Sequence, residues 1–552
     1  MPSSSLMRMS HGLVVMCVSW HWLIGSAPVS ADDTIRTIAL SGRALPGFGS
    51  DLVTHTTVFR DAVLNNRGEV AYSADIAGPS ILPRNRESYW RYSPDVGLEL
   101  LAQSGDPAPG KPGDAFIQTL GPVHINDAGD VQLRSHLFGV SGAGNSQHLG
   151  DWVWNPTGFK KLAYINERTP QLGHYFQSIG SAINGLGQQI RGARSQPVNG
   201  IATRGESLWF LEPEATPRLL AKAGDVAPGL PPGITLATEF SGNFLDSGKI
   251  LYRMGLAGPG VTSLNNLAFW EGDSQGNLQL IFRSGQQAPG LPTGITMDAS
   301  SYVFVWQLGS GEVRVETLLR GAGVVPGTGL AFWSYDDGEL KLLARQGDQA
   351  PGLENGVVFA RLFNGSYRVT GPGIDSSNDT GLWLRQHDGF ELVAREGEHA
   401  PGTPDGVVFA STSPFGTESF GRNIVQNKSE QFAFLANLGG LGVSDPNDVG
   451  LWATDRSGVL QLIAREGQEI DVDDGPGIDL RTIASFDLQQ VDAIGEYLND
   501  RGQILFKATF TDGAKGIFLS NLVAVPEPSH FASLVGVLAL PMLSRQEKHR
   551  TC

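Results

Sequence analysis

Apolar and polar residues alternate along most of this chain in short runs broken by turn residues, and the runs return in a fixed order. That pattern predicts strands joined by tight turns. The plainest recurring phrase is LLARQGDQAPG, Leu342 to Gly352, an apolar run followed by Gly, a polar residue and Ala-Pro-Gly. Close copies end at Gly110, Gly229, Gly290 and Gly402. Aligned on their first glycine, the copies place Gly42, Gly105, Gly224, Gly285, Gly347, Gly397 and Gly467 at intervals of roughly sixty residues, with one double gap. A worn copy from Gly158 to Gly173 fills the gap and sets Glu167 where the marker glycine belongs, giving about eight units.

Each unit carries four strand signals. The first follows Ala-Pro-Gly, as at Gly356 to Ala360 and Gly406 to Ala410. The second follows an Asn-x-x-Gly turn at Asn65, Asn126, Asn184 and Asn499, where the asparagine caps the turn and the glycine takes positive φ. At Asn427 the asparagine remains but Glu430 replaces the glycine, and Leu245 and Leu308 replace the asparagine elsewhere. The third strand has an aromatic at one register, Trp90, Trp152, Trp209, Trp270, Trp333, Trp383, Trp452 and finally Phe518. The fourth is the apolar run ahead of the marker.

The two ends decide how the units are arranged. Thr34 to Gly42 matches a fourth strand with no unit before it, while Gly516 to Leu522 matches a third strand with no fourth strand after it. A propeller closes by lending a strand from one terminus to the blade at the other, which removes the open edges of a linear stack. The expected fold is therefore all-β, a β-propeller of about eight four-stranded blades, closed by an N-terminal strand completing the last blade. Seven blades is the alternative, should the worn unit be absorbed.

Composition sharpens this picture. Among 552 residues, 71 Gly and 32 Pro suit many short strands and turns. A net charge of −16 repels phosphate backbones, so nucleic acid is excluded as an expected partner. The apolar run Gly12 to Ile24, with Arg8 before it and small residues up to Ala31, predicts a cleaved signal peptide over 1–31. The repeat domain then occupies 32–522 and a tail 523–552. Only Cys17 and Cys552 are present, so the repeat domain has no thiol for a disulfide or a metal.

In the tail, Pro526, Glu527 and Pro528 precede a short apolar segment, Phe531 to Leu543, and the basic residues Arg545, Lys548 and Arg550. This three-part order resembles the PEP-CTERM sorting signal, although Pro541 interrupts the apolar run and Glu547 dilutes the basic end. The resemblance implies an exosortase-type processing enzyme at the membrane as a partner. The segments Asn65 to Tyr72, Asn126 to Leu133, Asn184 to Arg191, Asn427 to Phe434 and Asn499 to Phe506 resemble exported NxxGxxAF tandem-repeat proteins. That likeness implies an envelope or extracellular address and supplies no catalytic residues.

Candidate chemistry is sparse. Asp106, Asp225, Asp348 and Glu398 share one marker position, but Arg43, Gln286 and Gln468 occupy it too, which fits a turn better than a ring of ligands. Two oxygen-rich loops suggest calcium, with Asp375, Asn378, Asp379, Asp445, Asn447 and Asp448 as ligands, though neither has EF-hand spacing. His124, His136, His148 and His174 show no metal-binding spacing. The repeat domain holds no GxSxG and no Walker-type loop. The expectation is a non-enzymatic exported propeller in the cell envelope or an extracellular polysaccharide matrix, binding exopolysaccharide or serving as structure, with no cofactor beyond calcium. The competing readings are a polysaccharide-active hydrolase or lyase, and a calcium-stabilised surface scaffold.

Overall fold

Each repeat unit folds into one antiparallel sheet whose four strands lie side by side in chain order. The computed structural model describes residues 35–49, 51–110, 116–138, 149–196, 205–307, 311–324, 329–363, 366–386, 389–410, 424–487 and 497–524. Eight such sheets form an eight-bladed β-propeller. Blade 1 shows the plan: Thr54–Leu64, Val70–Ala77, Glu87–Ser93 and Gly97–Gln103. In blades 4 and 7 the first strand is split, into Thr235–Leu236 and Ser241–Phe244, and into Val407–Phe409 and Val425–Gln426.

The apolar run ahead of each marker is continuous where a regular strand would alternate, and a bulge explains it. In blade 1 Tyr89 pairs with Ala102 and Trp90 with Leu100, which leaves Leu101 as an extra residue. The same shift falls beside Trp152, Trp209, Trp270, Trp333, Trp383 and Trp452. A bulge reverses the side-chain alternation, so neighbouring apolar residues both turn inward. The seven tryptophans and Phe518 are buried between blades.

The ring closes as the ends predict. Ile35–Leu40 pairs antiparallel with Lys515–Ser520, the third strand of blade 8. It carries the same bulge, because Thr37 faces Phe518 and Ala39 faces Ile517 with Ile38 between. Blade 8 also clasps it from the side. The Thr37 amide donates to Asp474 Oδ1 at 2.9 Å, the Thr37 hydroxyl to the Val472 carbonyl, and Arg43 bonds that same carbonyl.

Two further contacts explain the recurring sequence phrases. The indole N–H of Trp152, Trp270, Trp333, Trp383 and Trp452 donates at 2.9–3.0 Å to the carbonyl of Pro109, Pro228, Pro289, Pro351 and Pro401, the prolines of the preceding Ala-Pro-Gly turns. Trp90 and Trp209 follow worn turns and donate instead to Ser88 and Ser207, two residues back in their own strand. Phe518, which has no N–H, follows the one marker that lacks a proline.

The Asn-x-x-Gly turns are linked in the same way. Each asparagine Oδ1 accepts the amides two and four residues on, as Asn65 does from Arg67 and Glu69. Its Nδ2 reaches the next blade's asparagine carbonyl, from Asn427 to Asn499, Asn499 to Asn65, Asn65 to Asn126 and Asn126 to Asn184. This belt crosses the seam where the two termini meet.

One alignment needs correction. Asn166, not Glu167, occupies the marker-glycine position: its φ is +59° and its amide bonds the Phe176 carbonyl, as the Gly105 amide bonds that of Ile117. Asparagine is one of the few residues that tolerates this left-handed region. Glu167 takes the acid position, where its carboxylate accepts the Tyr164 amide three residues back, just as Asp106 accepts that of Gln103. The third-to-fourth hairpin of this blade is one residue shorter than in blade 1, which hid the offset.

Candidate binding site in the axial channel

First strands meet at the axis, because their hairpin tips touch across the ring. Lys428 of blade 7 lies 3.0 Å from Asp246 of blade 4 and 3.7 Å from Asp500 of blade 8. Hence the first strand of every blade lines the channel.

All eight of these inner strands carry extra residues against their partners. In blade 1 pairing shifts between His55, Phe59 and Ala62, and in blade 2 between Ile117 and Thr119 and again between Leu120 and Val123. Blade 3 shifts between Phe176 and Gly180, and blade 6 between Phe359 and Arg361. In blade 5, Asp298 pairs with Leu318 and Val303 with Thr317, so Ala299 to Tyr302 face a single step. Blade 4 passes from Leu236 to Ser241 while its partner moves only from Leu256 to Arg253. Blade 7 goes from Phe409 to Val425 against Leu438 to Ala433. Blade 8 shifts between Ile483 and Ser485. Bulges re-aim side chains and favour places next to binding sites. Here they form a girdle around the channel, and unlike the hairpins they differ in size from blade to blade.

The irregularities of blades 4 and 5, the latter with four extra residues, flank a cavity of about 250 Å³. Ser241, Asn243, Arg253 and the backbone at Gly242 supply its polar lining, and Leu251, Phe269 and the segment Val303 to Val305 its apolar walls. Asn243 is exposed and Phe304 is 53% exposed, although both sit on inner strands. Arg253 Nη2 is held 2.7 Å from Glu239 Oε2, and Glu239 stands at φ +61° in the break of the blade 4 inner strand. A left-handed glutamate is strained, and such strain persists where the surroundings fix it. The result is a concave surface with an aromatic ring, an amide, a hydroxyl and an oriented guanidinium, which can hydrogen-bond a polyhydroxylated ligand against an apolar wall.

At the axis the Lys428 ammonium keeps its proton more firmly than usual. Burial opposes its charge, but the bond to Asp246 and the fields of Asp246, Asp500 and Asp127 outweigh burial.

The residues singled out for calcium serve their own loops. Asn378 Oδ1 accepts the Asp375 amide and its Nδ2 donates to the Gly373 carbonyl, while Asn447 repeats both bonds with Ser444 and Gly442. Asn265 does the same in blade 4, so this asparagine is a recurring loop tie. Asp375 accepts from Ser377, Asp379 lies 3.1 Å from Arg368, and Asp445 to Asn447 form a short 3-10 turn. Asp448 shares a hydrogen bond with Glu466 instead of joining Asp445. Among the described residues no group of three or more His, Cys, Asp or Glu is placed to share an ion. Pro526, Glu527, Pro528 and His148 lie outside the described residues.

The channel girdle was not anticipated from the sequence. Its signal was present: the interval from Ala-Pro-Gly to Asn-x-x-Gly is far longer between Gly402 and Asn427 than between Gly110 and Asn126, whereas the third-to-fourth hairpin intervals differ by no more than one residue between Trp90–Gly105 and Trp333–Gly347.

A closed eight-bladed propeller with a bulge-lined channel defines the class of this protein. Within that class the chain belongs to a family of unknown function, DUF7453, whose model matches residues 32–369 and 367–532. No curated protein matches it. Similar solved structures include a Pyrococcus horikoshii acylaminoacyl peptidase, 10% identical with a TM-score of 0.35, covering 74% of this chain and 53% of that one. Another is a Dyadobacter fermentans protein of unknown function, 12% identical with a TM-score of 0.24, covering 62% and 96%. A Trypanosoma rangeli sialidase is 11% identical with a TM-score of 0.24, covering 93% and 61%. The chain thus spans about half the length of the peptidase it matches.

Proposed function

We propose that this protein is an exported binding propeller whose ligand is a neutral polysaccharide of the cell envelope or extracellular matrix. The observation that carries the reading is the blade 4–5 cavity, which joins the exposed Phe304 ring to Asn243, Ser241 and the Glu239-oriented Arg253. Sugar rings present apolar faces and many hydroxyls, and this lining offers a partner to each. The net charge of −16 favours a neutral polymer over an acidic one. The N-terminal apolar run and the PEP-CTERM-like tail support export, processing by an exosortase-type enzyme and transient retention at the membrane.

The test incubates the purified protein with exopolysaccharide from the producing cells and scores retention together with new reducing ends. Retention without new ends is expected. New ends would establish a hydrolase or lyase, and loss of neither polymer nor protein from solution would overturn the binding reading. Arg253→Ala and Phe304→Ala should each weaken retention about tenfold, the effect of ~1.4 kcal/mol.

A further inference from the structure

We propose that the protein recognises the end of a glycan chain, not an internal stretch. This rests on the channel-binding reading and names the part of the polymer that the channel accepts.

The cavity lies just inside one end of the channel. Asn243 is three residues from Asp246, at the tip of the same blade 4 hairpin, and Val305 is two from Gln307, whose Oε1 accepts the Asp246 amide at 2.7 Å. That end is crossed by side chains. Lys428 Nζ spans from blade 7 to Asp246 of blade 4, three blades away, and also approaches Asp500. The adjoining tips are tied into one arc. The Lys428 amide donates to Asp500 Oδ1, the Asp500 amide to Asn66 Oδ1 and the Asn66 amide to Asp127 Oδ1. Asn66 Nδ2 bridges Asp127 and Asp500 at 2.9 Å each. The arc and its cross-bar join blades 4, 7, 8, 1 and 2.

A polymer that lay along the axis with its middle in the cavity would have to leave through this end. While the cross-bar holds, this end passes no chain, so a chain seated in the cavity stops with its terminus there. The channel is a blind socket for an end group. The cross-bar is polar and partly exposed, with side chains of Lys428 and Asp246 47% and 46% accessible, so it blocks a chain without sealing out water or small ions.

The experiment compares exopolysaccharide from the producing cells, intact and after sonication to short fragments, at equal sugar mass. End recognition requires the protein bound per gram to rise in proportion to the number of chain ends, measured by reducing-end assay. Equal binding per gram for the two forms overturns the proposal while leaving polysaccharide binding intact. Absence of binding to both overturns the polysaccharide reading and the end-group inference with it. Lys428→Gln and Asp246→Asn, each checked for an unchanged melting temperature, should raise binding of the intact polymer toward that of the fragments. If folded variants leave the ratio unaltered, the cross-bar is not the stop.

Discussion

At the scale of single residues, the strongest constraints are buried polar contacts. Asp151 is fully buried between two guanidiniums, with Arg134 Nε at 2.7 Å and Arg191 Nη2 at 3.0 Å. Burial alone would raise its carboxyl, but Arg134 and Arg191 outweigh it and hold the group below the usual range. Asp151→Ala would leave two charges uncompensated inside the protein and should cost about 3–5 kcal/mol in denaturant unfolding. Glu466 shows the opposite sign. Burial, then the charge and hydrogen bond of Asp448, push its carboxyl from 4.5 up to about 7. The folded state therefore binds this proton more tightly than the unfolded state, so its stabilisation is full below about pH 4.5 and declines until about pH 7. Urea midpoints should fall across that window, and Glu466→Gln should flatten the fall. Trp333→Phe keeps the ring but strips the Pro289 carbonyl of its donor, and should cost about 1 kcal/mol beyond the change in packing.

At the scale of elements, the blade is a hairpin pair with two bulges of different purpose. The fourth-strand bulge is uniform and apolar, filled by Leu101 in blade 1 and Ile38 in the closing strand, and it belongs to packing. The first-strand bulges vary and belong to the channel. Ile38 is 5% exposed, so Ile38→Asp would bury an unpaired charge at the closure and should cost more than ~3 kcal/mol. Arg43→Ala, at an ion pair whose side chains are 39% and 37% exposed, should change the melting temperature little. The strand, not the surface pair, is what closes the ring. The loop asparagines Asn378 and Asn447 are spent on their own turns, so chelator should leave the melting temperature unchanged.

At the scale of the whole molecule, stability comes from eight similar seams, five of them latched by an indole on a turn proline and half of them by the asparagine belt. The N-terminal strand Ile35–Leu40 completes the circle, so a chain lacking residues 32–41 would expose the edge of Lys515–Ser520 and all the apolar surface of that seam. Such a truncation should elute as oligomer or aggregate in size-exclusion chromatography. Because the body carries no cysteine, reductant should leave the unfolding of the intact protein unaltered.

The architecture was legible in the sequence because it rests on local chemistry repeated eight times. Glycines at positive φ, asparagine-capped hairpins, tryptophans at one register and an unmatched strand at each end are all short-range patterns, and together they point to closure and to about eight blades, with the structure deciding eight over seven. The worn copy misled by one residue, since a shortened hairpin and an asparagine in place of glycine shift the spacing without changing the fold. The candidate site was beyond such reading. Its cavity joins Asn243 and Arg253 of one hairpin to Phe304 of the next blade, where the inner strands depart from the repeat, and Lys428 meets Asp246 from three blades away. Local patterning sets which strands form and how they twist; only closing the ring brings their irregular edges to one axis and decides which residues face each other there.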